Sequence, residues 1–263
     1  MDTGKKLDQI WTDFITLTRS QTHETDYLAG QQKRALGFTL FDHRDSDRLI
    51  QDAANTLYES IIDLAAHRFT PPGAQPITIP SHDYHHRFRE PYQDKDDAPD
   101  FTPSELWTAL ERDYGGDKGA TKALMEAAEV IRNLFSESLR SEIVRCGGGV
   151  VLSHSVYAEQ WRGNGRHDLS YGCVRRLHSG FTALATFADW TARSALASDL
   201  RAFSTRDWLR IPLVSRDRFY FGDSDITLIT YLSKFEYRIS PTLAEQLNVF
   251  LSKYDNSAMA QAA

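Results

Sequence analysis

The chain has 263 residues, of which 41% are hydrophobic and 25% charged, the composition of an ordinary globular protein with room for one large domain or two small ones. No uncharged apolar run is long enough to cross a membrane, the opening MDTGKKLDQIW lacks the basic-then-apolar order of a secretory signal, and two cysteines, Cys146 and Cys173, cannot build a disulfide framework, so the cytoplasm is the expected compartment. The net charge of −6 weighs against a dedicated nucleic-acid binder.

Charge is unevenly spread along the chain. Residues 1–131 hold 14 Lys+Arg against 23 Asp+Glu, residues 132–218 hold 13 against 8, and residues 219–263 hold 3 against 5. All 13 cations of the middle segment are Arg, whose planar fork binds carboxylate and phosphate in pairs of hydrogen bonds. Arg is also 22 of the 30 cations overall, so compositional bias explains that choice as readily as an anion-contacting patch does.

In chain order, Leu7, Ile10, Trp11, Phe14, Ile15 and Leu17 are spaced for a first amphipathic helix over 7–17. Ser46 caps a second that runs to about His67 on Leu49, Ile50, Ala53, Ala54, Leu57, Tyr58, Ile61, Leu64 and Ala65. Residues 1–69 thus read as an N-terminal helical region. Residues 70–101 hold six prolines and the acidic run Asp94-Lys95-Asp96-Asp97, and read as a long loop or linker with a short strand possible at 77–79.

Thr102-Pro103-Ser104-Glu105 has the form of a capping box and opens a helix through Tyr114. After the break at Gly115-Gly116, a long helix is expected from Asp117 to Ile143, stopped by Gly147-Gly148-Gly149. Residues 150–157 read as a strand, 162–166 as a turn and 171–197 as one helix. Further strands are expected near 219–221, 226–232 and 235–239, and a helix from Pro241 to Tyr254. Residues 102–255 therefore read as one α+β domain, mainly helical with a small antiparallel sheet in the C-terminal half, followed by a disordered tail over 256–263.

The chemistry-bearing clusters are few. His82, His85 and His86 with Asp83 follow H-x-x-H-H, which is not the i, i+4 pair of a zinc helix, and they stand in the proline-rich loop. Cys173 and His178 are five residues apart on a helix and do not face each other. The three glycines lack the Lys-Ser/Thr of a phosphate loop. No catalytic residue, metal or cofactor is assigned on these grounds. The strongest anion-contacting candidates are Arg162, Arg166 and His167 with Arg175 and Arg176, where glycines at 163 and 165 let a partner approach the backbone; the competing reading is a hairpin turn with solvated arginines.

Residues 102–254 resemble a family carried by plasmids and prophages and catalogued only as a domain of unknown function, sometimes beside or fused to DNA methyltransferases. The likeness is carried by the Leu106-Trp107-x-x-Leu110 core, the helix 121–135, the glycine-led strand Gly149-Val150-Val151-Leu152, the helix with Arg175-Arg176-Leu177, and residues 226–239 running into Ser240-Pro241-Thr242-Leu243 and Asn248. The family's aromatic stretch after the long helix is replaced by Ser136-Glu137-Ser138-Leu139-Arg140, and its Asn-Gly turn by Ser233-Lys234. The family has no established catalytic residues to carry over. With no catalytic motif present, the resemblance implies a non-enzymatic mobile-element protein that binds and inhibits a host defence protein or ribonucleoprotein complex, of anti-CRISPR or anti-restriction type. The acidic Asp94, Asp96 and Asp97 suit a partner whose surface is basic. The alternative is a nucleic-acid-binding accessory of a modification or replication system, acting through the Arg segment.

Overall fold

The computed structural model describes residues 2–37, 46–88, 101–140, 144–146, 149–160 and 167–254. The fold is α+β and mainly helical, with its antiparallel sheet confined to the C-terminal half. The chain divides into two compact units, residues 1–69 with 77–118 and residues 70–76 with 119–263. The division falls at Lys118/Gly119, inside a helix, and the proline-rich stretch is shared between the units instead of separating them.

Unit 1 is built from α1 (Thr3–Leu36), α2 (Ser46–Arg68), α3 (His82–Phe88) and α4 (Pro103–Tyr114). α1 is three times longer than its apolar spacing predicts. The Asp2 carboxylate accepts the Gly4 N–H to start it, and Gly37, at φ 77°, ends it by donating to the Lys33 carbonyl. Its buried contacts are Gly4, Trp11 and Thr18. Beyond Thr18 nearly every position is exposed or half-buried, so no apolar stripe marks that half in the sequence.

α2 buries Ile50, Ala54, Tyr58, Ile61 and Ala65 on one stripe, while Leu49 and Leu64 point to solvent. The Tyr58 hydroxyl donates to the Ser81 carbonyl at 2.6 Å, which anchors the stretch whose Ile77 and Ile79 are buried. That stretch forms no ladder, so the short strand that the sequence allows at 77–79 is not formed. α4 is capped across the unit. Thr102 makes no side-chain cap bond, and the Asp8 carboxylate of α1 takes the Ser104 N–H at 2.8 Å. The expected capping box is thus replaced by a tertiary cap. Gly4 permits the approach, since a Cβ there would lie 3.1 Å from Ser104 Cβ.

Unit 2 takes most of α5 (Asp117–Leu134), then α6 (Ser136–Arg140), β1 (Val144–Cys146), β2 (Gly149–Ser155), β3 (Ala158–Gln160), β4 (His167–Leu169), α7 (Tyr171–Trp190), α8 (Ser194–Ser204), β5 (Arg218–Phe221), β6 (Ile226–Thr230), β7 (Lys234–Ile239) and α9 (Pro241–Tyr254). The helix expected through Ile143 ends at Leu134, and residues 144–146 are a strand, so the glycines follow a strand and not a helix. The helix expected over 171–197 breaks at Thr191, where Ala192 turns to φ 59°. Next to that break Arg193 is held by Asp225 and by Gln246, and Ser240 holds the other Asp225 oxygen at 3.0 Å.

β1, β2, β7, β6 and β5 form one antiparallel sheet in that order, and β3 pairs with β4 separately. On the inner face Leu152, Tyr237 and Leu228 stand in one row, and His154, Phe235 and Thr230 in the next. Ile131, Leu134, Leu177, Phe181, Leu184, Leu196 and Leu200 from α5, α7 and α8 cover that face to form the core. β7 alternates as its sequence requires, with Phe235, Tyr237 and Ile239 inward and Glu236 and Arg238 outward. β1 is short and pairs only with residues 149–151 of β2. Farther along, the Ser138 hydroxyl takes the Ser153 N–H at 2.8 Å and donates to its carbonyl at 2.9 Å, closing an open edge. Ser138→Ala should therefore cost about 1–2 kcal/mol, measured by urea denaturation, because it strips both edge groups of a partner; a change below experimental error would show that solvent serves them equally well.

Candidate nucleic-acid interface

One end of the unit 2 sheet gathers segments far apart in sequence. The Val156 N–H donates to Ser233, Leu213 to the His167 carbonyl at 2.7 Å, Arg216 to Thr230 at 2.6 Å, and Ser170 to Tyr157 at 3.1 Å. The Tyr157 N–H in turn donates to Cys173 Sγ at 3.1 Å. These bonds bring the β2–β3 junction, β4, the start of α7, the approach to β5 and the β6–β7 turn together. α7 begins here because Ser170 is its N-cap, its hydroxyl accepting from the Cys173 N–H.

The exposed groups at this end include Tyr157, Tyr171, Arg175, Arg176, Arg216, Arg218 and Lys234. His167 is half-buried beside them. Of the predicted anion-contacting residues, the fold therefore groups His167, Arg175 and Arg176. Arg162 and Arg166 lie outside the described residues, as do Asp94, Asp96 and Asp97. The three histidines of the H-x-x-H-H cluster do not lie in a loop as expected but on α3, because residues 82–88 are helical. His82 is exposed beside Asp83, and His85 packs edge-on against Tyr58; the His86 side chain is outside the described set.

The arginines of unit 2 divide by partner. Arg193, Arg201, Arg210 and Arg238 are paired with Asp225, Asp189, Asp207 and Glu236, and Arg206 lies over the rings of Phe203, Trp208 and Phe219. Among the described residues of unit 2, Arg175, Arg176, Arg216 and Arg218 are exposed and make no ion pair. Glu159 and Asp217 are the exposed acids of the same end, while Lys234 shares Glu236 with Arg238. Free guanidinium groups on a rigid support are what phosphate contact requires.

Within reach of the Arg176 charge lies His154, 4% exposed, with neither ring nitrogen hydrogen-bonded. It packs against Phe235 and Tyr237 at 5.7 and 5.6 Å. Burial, aided by the Arg176 charge, pushes its pKa down to about 4, so the ring is neutral at pH 7. A separate cleft of about 330 Å³ in unit 2 is lined by Pro71, Pro72, Leu124, Thr186, Trp190 and Arg201. Its cation is already engaged, by Asp189 and by the Gly73 carbonyl.

Sequence reasoning missed Tyr157, Tyr171 and Arg216. For the two tyrosines the one sequence signal is the alternation of aromatic and basic residues around 157–176, and Arg216 carries none, since only its backbone bond to Thr230 brings it to this end. The chain matches no protein-family model, and it has no match among curated proteins or solved structures. The likeness to the plasmid- and prophage-borne family rests on the residue pattern alone. Among the described residues no helix is long and apolar enough to cross a membrane.

Proposed function

We propose that the chain works by binding and not by catalysis, and that unit 2 contacts nucleic acid through the end of its sheet that carries Arg175, Arg176 and Arg216. The observation that supports this is the set of exposed arginines without acidic partners, in a unit where Arg193, Arg201, Arg210 and Arg238 are neutralised and Arg206 is stacked. The charge balance agrees. Unit 2 holds 17 Lys+Arg against 15 Asp+Glu, whereas unit 1 holds 13 against 21. The overall −6 is thus the sum of an acidic unit and a mildly basic one, and the sign of the whole does not describe the surface that binds.

Arg175→Ala with Arg176→Ala is expected to weaken retardation of a labelled oligonucleotide. Each guanidinium on a phosphate contributes about 0.7–0.9 to the slope of log affinity against log salt, so the double variant should flatten that slope by about 1.4–1.8. Failure of the wild-type chain to retard DNA or RNA at low salt would sink the reading.

A second reading concerns unit 1. Its net charge of −8 complements a basic surface such as one that holds nucleic acid. Together with the mobile-element resemblance, this supports a role in occupying and inhibiting a host defence complex of CRISPR or restriction type. Co-purification with such complexes, followed by phage and plasmid protection assays, tests it; no binding and no change in protection would end it.

A further inference from the structure

We infer that the nucleic acid taken by this end of unit 2 is a single strand whose bases stack on Tyr157 and Tyr171. The inference rests on the nucleic-acid reading of the same surface and adds what kind of strand it accepts.

Guanidinium groups alone do not select a single strand over a duplex, because both present phosphates. The tyrosines make the difference. Tyr157 is 65% and Tyr171 67% exposed, although large aromatic side chains are ordinarily buried over most of their area. Both stand at the cationic end. Tyr171 opens α7 and lies four residues before Arg175, so ring and guanidinium share one face of the helix. Tyr157 is fixed by both of its backbone groups to that same first turn, its N–H on Cys173 Sγ and its carbonyl under the Ser170 N–H. The backbone under Tyr157 is thus immobilised while its ring stays in solvent. A mount of that kind lowers the entropy lost when a base settles on the ring.

A duplex keeps its base faces stacked internally and offers these rings nothing. Unpaired bases offer a π-face whatever their identity, so stacking here is tolerant of sequence. The neighbouring Arg175, Arg176 and Arg216 then follow the backbone of the strand. Glu159 and Asp217, the exposed acids nearby, repel phosphate and oppose its approach to their own positions.

The test is fluorescence anisotropy of the full chain with labelled dT15, U15 and a 15-base-pair duplex. The expected order places dT15 or U15 at least ten-fold tighter than the duplex. Tyr157→Ala and Tyr171→Ala should each weaken single-strand binding roughly ten-fold or more with the salt slope unchanged, by the usual contribution of one stacked base. Tyr157→Phe and Tyr171→Phe, which keep the ring, should stay within about two-fold. Both rings are exposed, so these variants should melt with the wild type, and circular dichroism checks that they do. Duplex bound as tightly as single strand, with no response to the alanine variants, overturns the inference and leaves the nucleic-acid reading standing. No binding of any of the three at low salt overturns both.

Discussion

Phe181→Ala is expected to destabilise unit 2 by about 3–5 kcal/mol, the range for removing a buried aromatic ring from a core that cannot fully collapse. Phe181 is 1% exposed and stands where four elements meet. From α7 it reaches Phe203 of α8 edge-on at 4.7 Å, Phe221 of β5 at 6.1 Å and Tyr237 of β7 at 6.0 Å. Neighbouring backbone cannot move in to fill the space. Gly180 already brings α7 so close to α5 that a Cβ there would lie 2.8 Å from Leu134 Cδ2. Phe181→Leu keeps most of the volume and should cost less than about 1.5 kcal/mol if the core repacks around it. Urea denaturation followed by tryptophan fluorescence measures both, since Trp190 and Trp208 report on unit 2. A loss below about 1 kcal/mol for the alanine variant would show that the core closes over the gap.

The second large effect is a dependence on acid. His154 is neutral in the folded chain with its pKa pushed down to about 4, against an ordinary value of 6.5. The unfolded chain therefore binds a proton that the folded chain refuses between those values. Stability is full above about pH 6.5 and falls as the pH drops toward 4, by about 3 kcal/mol at 1.36 kcal/mol per pH unit. Below pH 4 both states are protonated at this site and the loss stops growing. Other groups titrate in the same range, so the measurement is the difference between the wild type and His154→Phe in urea denaturation from pH 7.5 to 4. The variant should lack this part of the slope. It should also be more stable at pH 7 by about 1–2 kcal/mol, because it removes a buried ring whose nitrogens have no partner. Parallel curves for the two proteins would show that His154 finds a partner or solvent when charged.

Much of the architecture is legible in the apolar spacing. The stripe of α2 and the alternation of β7 follow from it, while the first helical residues of α4 and α9 follow from their prolines. The spacing fails where burial is slight or where a distant group intervenes. The second half of α1 has no stripe because it packs on little, and α3 is hidden in a proline-rich stretch whose helix is seven residues long. The cap of α4 comes from Asp8, almost a hundred residues away, so the local Thr-Pro-Ser-Glu pattern describes the boundary correctly and the bond wrongly.

By itself, then, the sequence determines the α+β class, most helices, the three C-terminal strands and the uneven charge, since each is a property of neighbouring residues or of composition. Tertiary structure alone decided that β2 pairs with β7 across some eighty residues, that α7 stops at Thr191 beside an arginine held by Asp225, and that Tyr157, Tyr171, Arg175 and Arg216 share one end of a sheet. The reason is physical. Periodicity records which side of an element is dry, whereas the bonds from Val156 to Ser233, Ser170 to Tyr157 and Arg216 to Thr230 join backbone groups, and backbone groups are the same at every residue.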